Sequence, residues 1–474
     1  MAPTSALQVR EASEARSIEA RLRLMIASGG DDRLWLDPVT RRNRYGAPAA
    51  PAPDELWFSS STACAVSPRG WAAASEALLR LTDAPACGLV SWFDDLRARL
   101  LSIYGTPGAQ AVLTASGTEA ELVTLTLALA LAERPLTNIV IAPAETGSGV
   151  PAAAEGRHFL AHASLGVAVC KAARLPGWAD ADIRLDTIEI RLPKGRLRAQ
   201  ADVDQEAALK VERAVAAGGF ALLHVLDASK TGRPGVSRAA AKAIVARHPG
   251  QALAVVDACQ LRCSAAAVRA DLEAGLVVMI TGSKFAGGPA FCGALLLPPA
   301  LAEELTATQL CGSPLAPYSA ALDWPAPLRS RLSGALAHPA NLGLGLRWSA
   351  ALAEIEAYEA VPEPVRAALL ADFDRAVRDR VRDDPALALL DGGIGGGAPG
   401  LTPVLHVDDA DPRWVYEALQ AANRPVHLGQ PVTLGPRTVL RVCASMPMIT
   451  AAASGDWAAL ETDLDEAFET WASL

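Results

Sequence analysis

Two charged residues close consecutive apolar runs of the 474-residue chain, and they carry its most specific chemical signal. Lys284 follows the run 275–280, and Asp257 ends the run 252–256. Each run is typical of a buried strand, so both side chains are expected at strand ends. Desolvation there lowers the pKa of a lysine and makes its amine nucleophilic, which is the chemistry of a Schiff-base lysine. The alternative for Lys284 is an ammonium that snorkels to water.

The carboxylate of Asp257 needs a cationic partner if it is to stay ionised at a buried strand end. A protonated pyridine nitrogen would be such a partner. The alternative is that Asp257 ends the strand in a turn or caps a helix. The two residues together favour a site at the carboxyl ends of parallel strands, where ligands bind to open α/β sheets.

The segment 112–121 predicts a third part of the site. It runs from a short apolar strand through small hydroxyl residues into a helix that continues to about Ala132. Free backbone N–H groups, the helix dipole and the hydroxyls of Ser116 and Thr118 would together bind a phosphate dianion. The alternative is an ordinary N-cap at Thr118, with Glu121 closing a capping box.

The order phosphate turn, Asp257-x-x-Gln260 and Lys284 resembles that of the pyridoxal-phosphate enzymes of the aspartate aminotransferase fold (fold type I). Within that fold it is most similar to the class V aminotransferase and cysteine desulfurase branch. The segment 224–234, a strand that ends in a Thr-Gly turn, resembles the same branch. The likeness covers roughly residues 90–350 and, more loosely, the C-terminus.

The resemblance implies a role for each matching residue. Lys284 would hold pyridoxal 5'-phosphate as an internal aldimine and later move the α-proton. Asp257 would bind the pyridinium nitrogen, which makes the ring an acceptor for the electron pair at Cα. Gln260 would reach the ring hydroxyl oxygen. The residues expected to surround the phosphate are Ser116, Gly117, Thr118, Ser283 and, lining the same pocket, Ser229.

Arg441 stands where many relatives of this branch clamp the substrate carboxylate, a task that suits a planar guanidinium. The alternative is a surface arginine on an edge strand. Arg437 and Arg347 are the other candidates for the clamp.

The chain departs from the family pattern in three places. The branch has Glu-His before a serine, with the imidazole stacked on the ring, whereas this chain has Glu145-Thr146. Either Thr146 or His158 covers the ring, and a structural role is the alternative for His158. His338 replaces a threonine of a loop that touches the neighbouring subunit's phosphate. Finally, no cysteine lies between Cys311 and Cys443, which disfavours the abstraction of sulfur from cysteine.

Together these features predict a homodimeric enzyme with shared active sites that acts on an amino acid or amine, with transamination as the first expectation. A lyase, a decarboxylase or a side-chain replacement enzyme is the alternative, because the bond broken at Cα depends on its angle to the ring. Two alternatives of another class are a non-catalytic binding or regulatory relative and an unrelated α/β enzyme in which Lys284 is structural.

The composition fits a large enzyme of this kind. With 51% hydrophobic and 20% charged residues, the chain can bury a sizeable core. A net charge of −9 argues against nucleic acid and anionic membranes as partners. The eight cysteines form no paired metal motif, so no metal is expected. Charged residues such as Arg10 and Glu11 interrupt any signal peptide, which predicts a cytoplasmic protein.

Helical and strand-like segments alternate between about 75 and 320, which is typical of a parallel sheet with crossover helices. We predict an α/β fold with a three-layer α/β/α large domain, whose sheet is mostly parallel, and a smaller α+β C-terminal domain. The predicted bounds are 1–75 for an N-terminal helix and arm, 76–320 for the cofactor-binding domain and 321–474 for the small domain. The predicted elements of the ends are helices at 5–28, 343–359, 363–382 and 456–472 and strands near 402–407 and 438–443.

Overall fold

The computed structural model describes residues 17–82, 87–132, 134–334, 336–393, 397–407 and 410–474. The first helix, α1, is helical over 17–26. Part of its predicted range, 5–16, lies outside the described residues.

Fourteen strands are assigned within the described residues, and they form the two main sheets and a short two-stranded pair. The strands are β1 (Leu56–Phe58), β2 (Gln110–Thr114), β3 (Leu136–Ile141), β4 (Ile183–Ile188), β5 (Phe220–Leu226), β6 (Ala252–Ala258), β7 (Val277–Thr281), β8 (Gly293–Leu297), β9 (Leu310–Cys311), β10 (Leu332–Ser333), β11 (Leu387–Leu389), β12 (Leu401–His406), β13 (Val426–Leu434) and β14 (Arg437–Cys443).

The α-helices that follow α1 cover the sheets. They are α2 (Pro68–Thr82), α3 (Cys87–Tyr104), α4 (Gly117–Ala132), α5 (Val150–Ala154), α6 (Gln200–Ala216), α7 (Arg238–Arg247), α8 (Ala265–Glu273), α9 (Pro299–Ala307), α10 (Ala326–Arg329), α11 (Leu342–Glu359), α12 (Glu363–Asp383), α13 (Pro412–Gln420), α14 (Met446–Ala451) and α15 (Trp457–Ala472).

The larger sheet has seven strands in the order β2-β8-β7-β6-β5-β3-β4. The neighbours from β7 to β4 are parallel, whereas β8 runs antiparallel to both β2 and β7. The reason lies in the connection 282–292 between β7 and β8, since a parallel return needs a crossover of a dozen or more residues, usually a helix. The prediction of a mostly parallel sheet is confirmed.

Helices cover both faces of this sheet and make it the middle of three layers. Helices α3, α6, α7 and α8 share one apolar cluster with one face of the sheet, and α4 and α9 share a second cluster with the other face. Strands that are buried on both faces become continuous apolar runs, which is why β6 and β7 could be predicted from the sequence.

The smaller sheet has the order β1-β13-β14-β12-β11 and combines the two ends of the chain. Strand β1 pairs in parallel with β13, with Leu56 opposite Val426. The helices and strands predicted after residue 340 are confirmed within a residue or two at each end. The N-terminal arm contributes β1 to the C-terminal sheet. The domain bounds stay a prediction. Among the described helices, none is both long enough and apolar enough to span a bilayer.

Candidate active site

One cavity of about 200 Å³ opens at the carboxyl ends of β5, β6 and β7. It collects most of the residues that the sequence singles out, from segments that lie far apart in the chain. The predicted residues that line it are Ser116, Gly117, Thr118, Thr146, Asp257, Gln260, Ser283, Lys284 and Arg441. Ser229 and His338 do not line it. The cavity brings these side chains together, and the role of each stays a prediction.

Lys284 lies just after β7 and is half-buried at the wall of the cavity. Its carbonyl oxygen accepts a hydrogen bond from the Gly287 N–H at 2.8 Å, so a tight turn holds the backbone in place. Gly282 lets this turn pack closely, since a Cβ there would lie 2.6 Å from Ala351 Cβ. The lysine is therefore presented by a rigid turn and faces the cavity.

Asp257 is the last but one residue of β6, opposite Leu226 of β5 and Met279 of β7. Its Oδ1 accepts a hydrogen bond from the Cys259 N–H at 3.0 Å. The alternative in which Asp257 shapes a turn is thus correct for one oxygen, while the side chain also lines the cavity. Three residues on, the Gln260 amide donates to the Ser61 carbonyl at 3.1 Å, and Gln260 Oε1 is buried with no hydrogen-bond partner among the described residues.

Helix α4 begins at Gly117, and Ser116 is its N-cap. The Ser116 hydroxyl oxygen accepts a hydrogen bond from the Thr118 N–H at 3.1 Å and also contacts Glu119. The expected alternative, a cap at Thr118 closed by Glu121, is wrong because the helix begins one residue before Thr118 and Glu121 points elsewhere. Thr118 is left to line the cavity. Gly117 is tightly enclosed, because a Cβ there would lie 2.6 Å from Cys259 Sγ.

A buried ion pair, which sequence reasoning missed, lies against the cavity. His224 Nε2 is 3.2 Å from Glu121 Oε2 and within hydrogen-bond distance, 3.0 Å, of Asn138 Oδ1, and the Asn138 amide donates to Glu121 Oε1 at 2.7 Å. Burial lowers the pKa of His224, but the charge and hydrogen bond of Glu121, with a smaller effect of Asp257, leave that pKa raised. The signal in the sequence was a charged residue within the apolar helix α4 and a histidine within the apolar strand β5.

Glu145 forms a second buried group at the cavity wall. The Arg191 Nε donates to Glu145 Oε1 at 2.6 Å, and the Ser229 hydroxyl donates to Glu145 Oε2 at 2.9 Å. Arg191 also bonds Asp391 at 3.1 Å. Ser229 therefore lies behind the wall, bonded to a carboxylate, which differs from the expectation that it lines the pocket. Its neighbours in the chain, Ala228 and Lys230, line the cavity instead.

Arg441 is 1% exposed and lies on β14, which has a neighbour on both sides in the smaller sheet. The alternative of a surface arginine on an edge strand is wrong. Its Nη2 donates to the Thr62 hydroxyl at 3.2 Å, its Nη1 donates to the Lys230 carbonyl at 3.4 Å, and its Nε is buried with no partner among the described residues. Burial lowers the pKa of Arg441 to about 10.

The two other arginines considered for the clamp are not at the cavity. Arg347 is fully buried and donates to backbone carbonyls of Phe291, Ile26 and Gly29. It therefore ties helix α11 to the N-terminal arm. Arg437, at the start of β14, does not line the cavity either.

Lys230, which the sequence left without a role, is a second lysine in the cavity. Burial, Arg441 and Lys284 lower its pKa to about 8. The N-terminal arm adds Arg33, Tyr45, Ser61 and Thr62 to the cavity wall. Nothing in the sequence marked Arg33 and Tyr45, because their position depends on how the arm folds back over the sheet.

Three residues are connected with the departures from the family pattern, and the structure places them in different parts of the molecule. Thr146 lines the cavity. His158 is buried away from it and bonds the Tyr318 hydroxyl with its Nδ1 at 2.6 Å, which fits the structural role. His338 is exposed on the single chain, so its contact with a neighbouring subunit stays a prediction.

Cys259 is a cysteine at the cavity wall, and burial holds the pKa of its thiol well above the usual value. Asp257 raises it further. A buried thiol that stays protonated is a poor nucleophile. Cys259 is therefore a poor candidate for a nucleophile at this site.

No protein-family model matches the chain, and no curated protein sequence matches it. Solved structures are similar in fold. One is the NifS-like protein from Rickettsia africae ESF-5, at 12% identity and a TM-score of 0.51 over 88% of this chain and 99% of that chain. Another is the cysteine desulfurase CsdA (S-sulfonic acid) from Escherichia coli, at 13% identity and a TM-score of 0.54 over 88% and 95%. At these identities the likeness concerns the fold alone, and it confirms the predicted fold class.

Proposed function

We propose that the chain is a pyridoxal-phosphate-dependent enzyme that acts on an amino acid or amine, with Lys284 as the residue that binds the cofactor covalently. The observation that carries the proposal is the meeting of Lys284, Asp257 and the first turn of α4 around one cavity. Each of them alone has an ordinary explanation. A lysine, a carboxylate and a phosphate-binding turn on one cavity match the three polar ends of this cofactor.

The groups around the cavity fit such a molecule. Buried polar atoms without a partner among the described residues include Gln260 Oε1, Ser61 Oγ and Arg441 Nε, and all three residues line the cavity. Buried polar groups are normally hydrogen-bonded, so unpartnered ones in a cavity favour a polar ligand. The start of α4, where Gly117 and Thr118 line the cavity, suits a phosphate at the N-terminus of the helix.

Each residue would then have one task. Lys284 Nζ would hold the cofactor covalently and, when a substrate amine takes its place, would accept the proton from the substrate Cα. Asp257 would keep the pyridine nitrogen protonated, and Arg441 would hold the substrate carboxylate. When bound, pyridoxal phosphate supplies a ring that accepts the electron pair left at Cα. The His224–Glu121 pair would hold the floor of the cavity in place.

Transamination is the reaction that we favour, with Lys284 as the residue that would carry the proton taken from the substrate Cα. The second candidate is a lyase, decarboxylase or side-chain replacement enzyme. The observation behind it is Thr146, which lines the cavity where the class V branch would have a stacking imidazole. A different contact above the ring changes which bond at Cα is broken. Membership of the class V branch itself is part of this proposal.

A panel of amino acids, offered to the protein loaded with pyridoxal phosphate, tests the reaction type. We expect at least one amino acid to yield its 2-oxo acid without release of ammonia or carbon dioxide. Release of ammonia or of carbon dioxide would favour the second candidate. The proposal is contradicted if no amino acid or amine is converted and none changes the absorption of the bound cofactor. Lys284→Ala, which should lose all conversion, is the control.

A further inference from the structure

The charges at the cavity do not cancel. Four of the charged groups at its wall are held in three pairs: Arg33 with Asp31 at 2.6 Å, His224 with Glu121 at 3.2 Å, and Glu145 with Arg191 at 2.6 Å. The charged residues that remain at the wall are Lys230, Lys284, Arg441 and Asp257. Three cations thus face one carboxylate. Under the proposed function, Lys284 and Asp257 are both engaged by the cofactor, which leaves Lys230 and Arg441.

These two cations lie next to each other. Arg441 Nη1 donates to the carbonyl oxygen of Lys230 at 3.4 Å, so the guanidinium lies against the backbone that carries the lysine. The backbone at Lys230 is fixed, because its N–H donates to the Glu145 carbonyl at 2.8 Å. The two side chains therefore belong to the same part of the cavity.

Neither cation has a carboxylate of its own among the described residues. The carboxylate that acts on Lys230 is Glu145, whose oxygens already accept from Arg191, Ser229 and Thr231. The hydrogen bonds of Arg441 go to two carbonyls and one hydroxyl. Two neighbouring cations that share no counter-ion are costly to bury, since each loses hydration without gaining an opposite charge.

We propose that Lys230 and Arg441 together bind two anionic groups of one substrate, so that the substrate is an amino acid with an acidic side chain. Arg441 takes the α-carboxylate through its planar donors, and Lys230 takes the second anionic group as a point charge. The inference rests on the proposed function, because it assumes that the cofactor occupies Lys284 and Asp257.

Calorimetric titration of the pyridoxal-phosphate-loaded protein with succinate and with butyrate tests this. Both have four carbons and no amino group, so neither can react, and they differ in the second carboxylate. We expect the wild type to bind succinate at least about tenfold more tightly than butyrate, since a hydrogen bond to a charged group contributes that much. Lys230→Gln should lose this preference and keep its affinity for butyrate.

Two further variants serve as controls. Lys171→Gln removes an exposed lysine and should change nothing. Lys230→Arg keeps the charge and should keep the preference for succinate. Equal binding of succinate and butyrate by the wild type overturns the proposal without any variant. So does a Lys230→Gln protein that folds and keeps the preference.

The second anion could instead be the phosphate of the cofactor. In that case Lys230→Gln would release pyridoxal phosphate more readily and still prefer succinate, which overturns the proposal. The proposed function fails separately: borohydride would then fix no cofactor on the wild-type protein. A protein that holds the cofactor on Lys284 and shows no preference for succinate contradicts only the substrate class.

Discussion

At the scale of single residues, Lys230 gives the site a pH dependence of its own. Burial and the neighbouring charges of Arg441 and Lys284 lower the pKa of its ammonium, Glu145 raises it, and together they leave this pKa at about 8. Only the protonated lysine binds an anion. We therefore expect the affinity of the loaded protein for succinate to be constant well below pH 8 and to fall as the pH rises through about 8.

The measurement is the dissociation constant of succinate as a function of pH. Lys230→Gln is the control, and its weaker binding should not change over this range. A wild-type profile as flat as that of the variant would contradict the assignment of Lys230 to the anion.

The pair of His224 and Glu121 should stabilise the fold. At a pH below the usual histidine value of about 6.5, Glu121→Gln leaves a buried imidazolium without its anion, and we expect a loss of about 3 kcal/mol in the free energy of unfolding there. Because the pKa of His224 is raised, the pair contributes fully below the usual histidine value of about 6.5 and its contribution fades at higher pH. Urea denaturation at two pH values measures both effects. Glu303→Gln, at an exposed site of α9, is the control and should leave the free energy of unfolding almost unchanged. If Glu121→Gln and Glu303→Gln lose the same free energy of unfolding, the pair of His224 and Glu121 does not stabilise the fold.

Lys284 and Asp257 could be predicted because a charged residue after a buried strand is visible in the sequence, whereas Gln260 was assigned only through the family resemblance. No role was assigned to Lys230, which looks like an ordinary turn residue before Thr231-Gly232. Lys230 can bind an anion only if no nearby carboxylate already neutralises it. Glu145 is neutralised by Arg191, and no local pattern reports a pairing made between separate strands and loops.

At the scale of elements, helix α4 depends on its cap. Ser116→Ala removes the hydroxyl that accepts from the Thr118 N–H, and we expect it to cost about 1 kcal/mol of stability. Ser264→Ala does the same to α8, where the serine accepts from Ala267. Only Ser116→Ala should also weaken the binding of pyridoxal phosphate, which equilibrium titration would measure. If the two variants bind the cofactor equally well, the first turn of α4 is not the phosphate site.

The elements of the large sheet were predictable because their strands are buried on both faces and form unbroken apolar runs. The direction of β8 follows from the short connection before it, although the sequence reasoning did not derive it. The pairing of β1 with β13 was not predictable. It joins a three-residue strand to a partner about 370 residues away, and neither propensity nor periodicity specifies such a contact.

At the scale of the whole molecule, we expect a homodimer in which the N-terminal arm packs across the interface. The single chain exposes large apolar side chains there: Leu24 is 69% exposed and Val39 is 87% exposed. Sedimentation equilibrium should give twice the mass of the chain. Leu24→Glu combined with Val39→Glu should weaken the dimer, whereas Val365→Glu, on the exposed face of α12, should not. A monomer at all concentrations would contradict this expectation and would leave His338 without a neighbouring site to reach.

The identity of the lysine that binds the cofactor is the most direct test of the whole account. The cavity contains two lysines, and Lys230 has the lowered pKa that favours a nucleophile. The measurement is peptide mass spectrometry after the protein has been incubated with pyridoxal phosphate, reduced with borohydride and digested. We predict that the phosphopyridoxyl group is found on the peptide that carries Lys284, and that Lys284→Ala loses it while Lys230→Gln keeps it. A label on Lys230, or no label at all, would contradict the account.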